Sequence, residues 1–231
     1  MHKDNHRGLF EGERIDNFVD GAFSFIVTLL VINGASIPHD IPSLVDALGG
    51  VTAFAAAFGQ LALFWYGHVR WRDDVGLCDV RSLQLSLLLV FFALIFVYPL
   101  HMVFASFFHF ISGGLLPMDF TVGGVGDLKV LFIIYGMTYA CMAGTLSWLY
   151  RHGTKVARNL SPEHQIEGRV TALSWGFTAV VGLVSATIAA LTPEKSSGWM
   201  IAAAGMTYAL LSFMGPLLNR YRRRLQAQAA P

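Results

Sequence analysis

Apolar residues in this chain gather into six long blocks, at about 15–34, 44–69, 82–110, 128–150, 169–191 and 197–219, separated by short polar stretches. Each block is long enough to cross roughly 30 Å of hydrocarbon at about 1.5 Å per helical residue. The pattern predicts an all-α polytopic membrane protein with six transmembrane helices. A polar segment (1–13) precedes the six-helix domain (14–219), and a basic tail (220–231) follows it.

Composition agrees. Only 13% of the 231 residues are charged, where soluble domains carry about a quarter, and mean hydropathy is +0.55. The net charge of +1 gives no reason to expect a nucleic-acid partner. Polar character and the lack of a small-residue cleavage site keep the N-terminal stretch from reading as a signal peptide. Cys78 and Cys141 are predicted to lie at different depths and imply no disulfide framework.

Charge placement sets an expected orientation. If the blocks alternate, Lys3, Arg7, Arg14, Arg70, Arg72, Arg81, Arg151, Lys155, Arg158, Arg169, Arg220, Arg222, Arg223 and Arg224 share one side. Only Lys129 and Lys195 fall on the other. Basic residues accumulate on the cytoplasmic side, so both termini are expected there. The opposite loops carry Asp40, Asp46, Asp119, Asp127 and Glu194, ordinary solvated acids or a rim that concentrates cations.

Catalytic chemistry is hard to find. There is no phosphate-binding glycine loop, zinc-protease motif, nucleophile elbow or cysteine pair at metal spacing, so no enzyme, cofactor or resident metal is expected. The glycine-rich Thr121–Gly126 stretch resembles a potassium filter, but SGGLLPMDF before it is poor material for a pore helix. It reads as an outer loop. His68, His101 and His109 leave a haem-linked redox role open, against the milder reading of hydrogen-bonded histidines near helix ends.

The first block holds an anomaly. In RIDNFVDGAFSFIVTLLVING, Asp20 stands directly before an uncharged run. A carboxylate so close to hydrocarbon must be paired, cap the helix or reach for the interface, and it is a functional candidate. With His68 it could serve a secondary transporter or a proton pathway.

Arg14-x-x-x-Phe18-Val19-Asp20 resembles the Arg-x-x-x-Phe-Ser-Asp signature of the bacterial relatives of the endolysosomal potassium channel. Phe64-Trp65-Tyr66-Gly67-His68 is similar to the family's Phe-Trp-x-x-His on the second helix, and RSLQLSLLLVFFALIFVYP resembles its third helix, ending at Pro99. The resemblance spans residues 14 to about 101. It implies a passive potassium-permeable cation channel of the bacterial plasma membrane, a homotetramer among membrane lipids, with the first helix of each subunit lining the pore. Rings of apolar side chains rather than carbonyls would form the constriction, at Phe25, then Thr28 or Leu29, then Ile32. Residues 25, 29 and 32 share a helical face, as they would in a packing stripe. The resemblance also implies a polar network of Arg14, Asp20, Trp65 and His68, beside the signature Phe18, that holds the pore helix. Val19 stands in place of the signature serine, and Phe25 where the family usually has Ile or Leu.

Overall fold

The computed structural model describes residues 5–34, 39–118, 120–157, 160–196 and 198–229. Lys3, Asp119 and Arg158, three of the charges used above for orientation, lie outside the described residues. The elements are α1 (Asn5–Gly34), α2 (Ile41–Gly49), α3 (Val51–Val75), α4 (Val80–Ile111), α5 (Val125–Val156), α6 (Pro162–Leu191), α7 (Gly198–Met206), a 3₁₀ turn (Thr207–Phe213) and α8 (Met214–Ala229). Among the described residues there is no strand.

Five segments are each long and apolar enough to span a bilayer: Gly12–Ile32, α4, α5, α6 and Trp199–Gln228. Helices α2 and α3, bent by 45° at their junction, make a sixth when the pair is counted as one broken span. The chain is a multi-pass, all-α membrane protein of six spans.

Local chemistry explains where the helices begin. Asp40 accepts from the Ser43 backbone N–H at 2.8 Å while Ser43 Oγ accepts from the Asp40 N–H at 3.1 Å, a reciprocal cap that starts α2. Those bonds to Ser43 hold the Asp40 carboxyl below its ordinary pKa. Asp79 caps α4 through the Ser82 N–H, and Ser161 caps α6 ahead of Pro162. α3 stops at Gly76, whose φ of 59° is a left-handed conformation that glycine adopts without a steric cost. The run 121–126 is the approach to α5: the Gly123 N–H donates to Asp127 Oδ2 at 2.7 Å.

An aromatic cluster inside the core links α3, α4, α5, α6 and the last span. Phe64 of α3 stacks on Trp175 of α6 at 5.5 Å and meets Phe96 of α4 and Tyr139 of α5 edge-on. Tyr208 from the last span closes on Tyr139 at 5.0 Å. α5 and α6 approach most closely where glycines face each other: a Cβ built on Gly136 would stand 2.7 Å from the Gly182 carbonyl oxygen. Small residues allow such backbone-to-backbone packing in a bilayer, where contact rather than water exclusion drives association. Ser147 Oγ donates to the Ala172 carbonyl at 2.7 Å and Ser185 Oγ to the Ala204 carbonyl at 2.8 Å, tying α6 to α5 and to α7.

Candidate pore-lining face and its anchors

α1 divides into two faces. Val19, Phe23, Ile26 and Leu30 recur at helical spacing, are buried, and join the core cluster. On the opposite side Phe18, Gly21, Phe25, Thr28 and Ile32 are exposed, again at intervals of three and four residues. Phe18 is 54%, Phe25 58% and Ile32 66% exposed. Leu29 is half-buried at the edge and packs against the core. The chain therefore covers one apolar face of α1 and leaves a second, equally apolar one uncovered.

Two hydroxyls lie on or beside the uncovered face. Thr28 Oγ1 donates to the Ser24 carbonyl at 3.1 Å, and Ser24 Oγ to the Asp20 carbonyl at 2.8 Å. Spending the proton on the preceding turn leaves each hydroxyl oxygen able to accept from water or to meet a cation.

Asp20 is exposed, and Trp65 Nε1 of α3 donates to its Oδ1 at 2.8 Å. This bond gives the carboxylate at the mouth of the apolar run a partner and fixes the rotation of α1 against α3. The other two members of the sequence-derived network are elsewhere. His68 is buried, with Nε2 2.9 Å from Ser86 Oγ of α4, and its ring lies beside Trp71. Arg14 is exposed and makes no hydrogen bond or ion pair among the described residues. Within the chain, then, Asp20 and Trp65 meet, while His68 ties α3 to α4.

A stronger anchor lies one turn earlier, where the sequence reading named no site. Arg72 pairs with Asp16: Nη2 donates to Oδ2 at 3.1 Å, and Nε lies 2.6 Å from Oδ1 as an ion-pair contact. Its Nη1 donates to the Leu77 carbonyl at 3.0 Å and reaches Cys78 Sγ at 3.4 Å. Gly12 makes room for it, since a Cβ there would stand 2.7 Å from Arg72 Nη2. Paired charges at one end of α1 and α3 were the only signal available in the sequence. Arg70, two residues away, instead faces Asp74 on its own helix at 3.6 Å, and periodicity alone does not separate the two arginines.

Breaking a fully buried ion pair on one side costs about 3–5 kcal/mol. Here the Arg72 and Asp16 side chains are 15% and 35% exposed, so Arg72→Met is expected to cost about 1–3 kcal/mol. A thermal melt of the purified protein checks this, and an unchanged midpoint would remove the pair from the list of anchors.

The histidines are occupied by ordinary contacts. His109 Nδ1 lies 2.8 Å from the Leu116 carbonyl oxygen, closing the turn after α4, and His101 is buried in α4. Among the described residues no three metal-ligating side chains come together.

With this geometry in view, comparisons with known proteins become specific. The family model for the endosomal/lysosomal potassium channel TMEM175 matches residues 14–99, from Arg14 to Pro99. Over that stretch the chain is similar to the TMEM175 family. A potassium channel of Marivirga tractuosa is 30% identical over 149 residues, 62% of this chain; the chain covers 60% of that protein's length. The fold matches a crystal structure of a variant of the potassium channel MtTMEM175, solved with a nanobody fusion, with a TM-score of 0.74. That likeness is 23% identical and covers 91% of this chain and 93% of the other. A TMEM175 homologue from Chamaesiphon minutus, described as a lysosomal potassium-selective channel homologue, gives 0.60 at 19% identity, over 90% and 98% of the two chains. At these identities the two structures establish the fold. The TMEM175 match in sequence covers α1, the bent α2–α3 span and α4 as far as its proline, so it includes both the uncovered face and its anchors.

Proposed function

We propose that this protein is a passive, potassium-permeable cation channel of the bacterial plasma membrane, a homotetramer whose α1 helices line the pore, with both termini in the cytoplasm. The observation that carries this reading is the uncovered face of α1. An apolar helix face that its own chain does not cover must meet lipid, another subunit or a lumen, and in a relative of potassium channels the lumen is the functional choice.

Phe25, Thr28 and Ile32 would then repeat as rings along the pore, with Leu29 at the flank of the face. Apolar rings close a pore by expelling water, and hydroxyls such as Thr28 and Ser24 replace part of the hydration of a passing ion. The Asp20–Trp65 and Asp16–Arg72 contacts keep the Phe25 face turned towards the axis. They act by position; no proton need be transferred, and flow follows the electrochemical gradient.

The deciding measurement is ion flux from proteoliposomes of the purified chain under potassium, sodium and proton-only gradients. A non-saturating potassium flux larger than the sodium flux is expected. Saturable uptake that requires a proton gradient would replace the pore with a transporter built on Asp20 and His68.

A further inference from the structure

Away from α1, an open groove of about 340 Å³ lies between the start of α4 and the last three turns of α5. Its upper end is cationic. Arg81, Arg151 and Lys155 line it, and none of the three pairs with a carboxylate among the described residues. The nearby acid is already engaged: His152, which also lines the groove, binds Asp79 Oδ2 at 2.6 Å. Burial alone would raise the Asp79 carboxyl, but its bonds with Ser82 and His152 outweigh that and hold it below the ordinary value. Among the described residues the three cations therefore have no carboxylate counterion.

The lower end has a different character. Trp148 lies largely exposed along the wall, and a Cβ added to Gly144 would meet nothing within 4 Å, so the glycine leaves the floor open. The Arg151 guanidinium reaches down towards this end. A Cβ on Gly176 of α6 would stand 3.4 Å from Arg151 Nη2 and 3.2 Å from Ser147 Oγ, which puts the guanidinium level with Ser147. From Gly144 to Lys155 the groove runs about 17 Å along α5, with charge at one end and aromatic and glycine surface at the other. Free phosphate would fill only the charged end.

We propose that this groove binds the phosphodiester headgroup of an anionic membrane lipid, with Arg81 and Lys155 at the phosphate, the Arg151 guanidinium reaching it from the level of Ser147, and an acyl chain laid past Trp148 over Gly144. The sidedness is right for it. All three cations lie at the end of the bundle where the basic residues gather, and basic pockets between helices at that membrane face suit anionic headgroups. Trp148, below the cations, suits the interfacial belt. This inference rests on the six-span fold and needs no assumption about conduction.

The test is lipid binding by the delipidated full-length protein in neutral detergent, read by native mass spectrometry and by thermal shift. Phosphatidylglycerol is expected to bind and to raise the melting midpoint, and phosphatidylcholine is not. Arg151→Gln and Lys155→Gln should each weaken phosphatidylglycerol binding about fivefold. Gly144→Leu, which leaves every charge in place, should weaken it as well. If Arg151→Gln lowers the midpoint even in phosphatidylcholine, the exposed pair Arg81→Gln and Lys155→Gln carries the charge test. Equal weakening by Arg223→Gln in the tail would reduce the effect to general charge attraction and overturn the site. Competition by millimolar inorganic phosphate, with Gly144→Leu silent, would overturn the lipid assignment and leave a free anion as the ligand.

Discussion

Phe25→Asn is expected to raise potassium flux by at least about tenfold, a barrier change near 1.4 kcal/mol. The residue is 58% exposed on α1 and lies outside the core cluster that holds the helix, so the substitution leaves subunit packing intact. In the proposed pore it acts several times over, because symmetry repeats it in every subunit. A ring of phenyl groups excludes water from the constriction, and an amide of smaller volume admits it. Phe25→Ala should act in the same direction, by width alone. Leu29→Asn is expected to do less to flux and more to stability, since Leu29 is half-buried and packs inward. Unchanged flux in both Phe25 variants would make the face a lipid-facing or packing surface and move the constriction elsewhere.

Phe25 also illustrates how much of the candidate site could be read from sequence. Helical period places 25, 29 and 32 on one side, but the choice of Phe25, Thr28, Leu29 and Ile32 rests on the family resemblance. Phe25, Thr28 and Ile32 are exposed, while Leu29 is half-buried at the edge and packs inward. The six spans were legible in the pattern itself: hydrocarbon demands long apolar blocks. The ends of the helices were less so. The block at 128–150 becomes α5, Val125–Val156, and the second block, 44–69, becomes a bent pair reaching from Ile41 to Val75. Hydropathy reports the thickness of the bilayer, whereas a helix continues into the interface as long as its caps and polar partners allow. The 3₁₀ turn at Thr207–Phe213 in the last span likewise leaves the apolar pattern undisturbed.

Polar pairings were only partly legible. Asp20 invited a partner because hydrocarbon begins beside it, and Trp65 supplies one. His68 seemed to belong to the same set, yet its ring turns to Ser86, a serine that no spacing rule singles out. Asp16 and Arg72 were visible as residues and hidden as a pair, since the choice between Arg70 and Arg72 depends on how α3 is rotated. That rotation is set by aromatic packing around Phe64, which a one-dimensional pattern does not encode.

Gly182→Leu should be the most damaging single change to the fold. A Cβ at Gly182 would already stand 2.8 Å from the Gly136 carbonyl oxygen and 3.1 Å from the Ala140 nitrogen. These obstacles are backbone atoms of α5, which no rotamer change can move aside. Accommodating a leucine means separating α5 from α6, which strains the Ser147–Ala172 bond and the packing of Trp175 on Phe64. Overpacking in a yielding core costs about 1–3 kcal/mol; against two backbones the expected cost is about 4 kcal/mol or more. For a chain of this size that lowers the melting midpoint by about 10 °C. Gly59→Ala provides the contrast, because nothing lies within 4 Å of a Cβ there, and its stability should stay within about 0.5 kcal/mol of the parent. A Gly182→Leu protein that melts normally would mean that α5 and α6 are not in backbone contact. Together with Phe25→Asn this separates two kinds of residue: one that changes flux without changing the melt, and one that removes flux only by removing the fold.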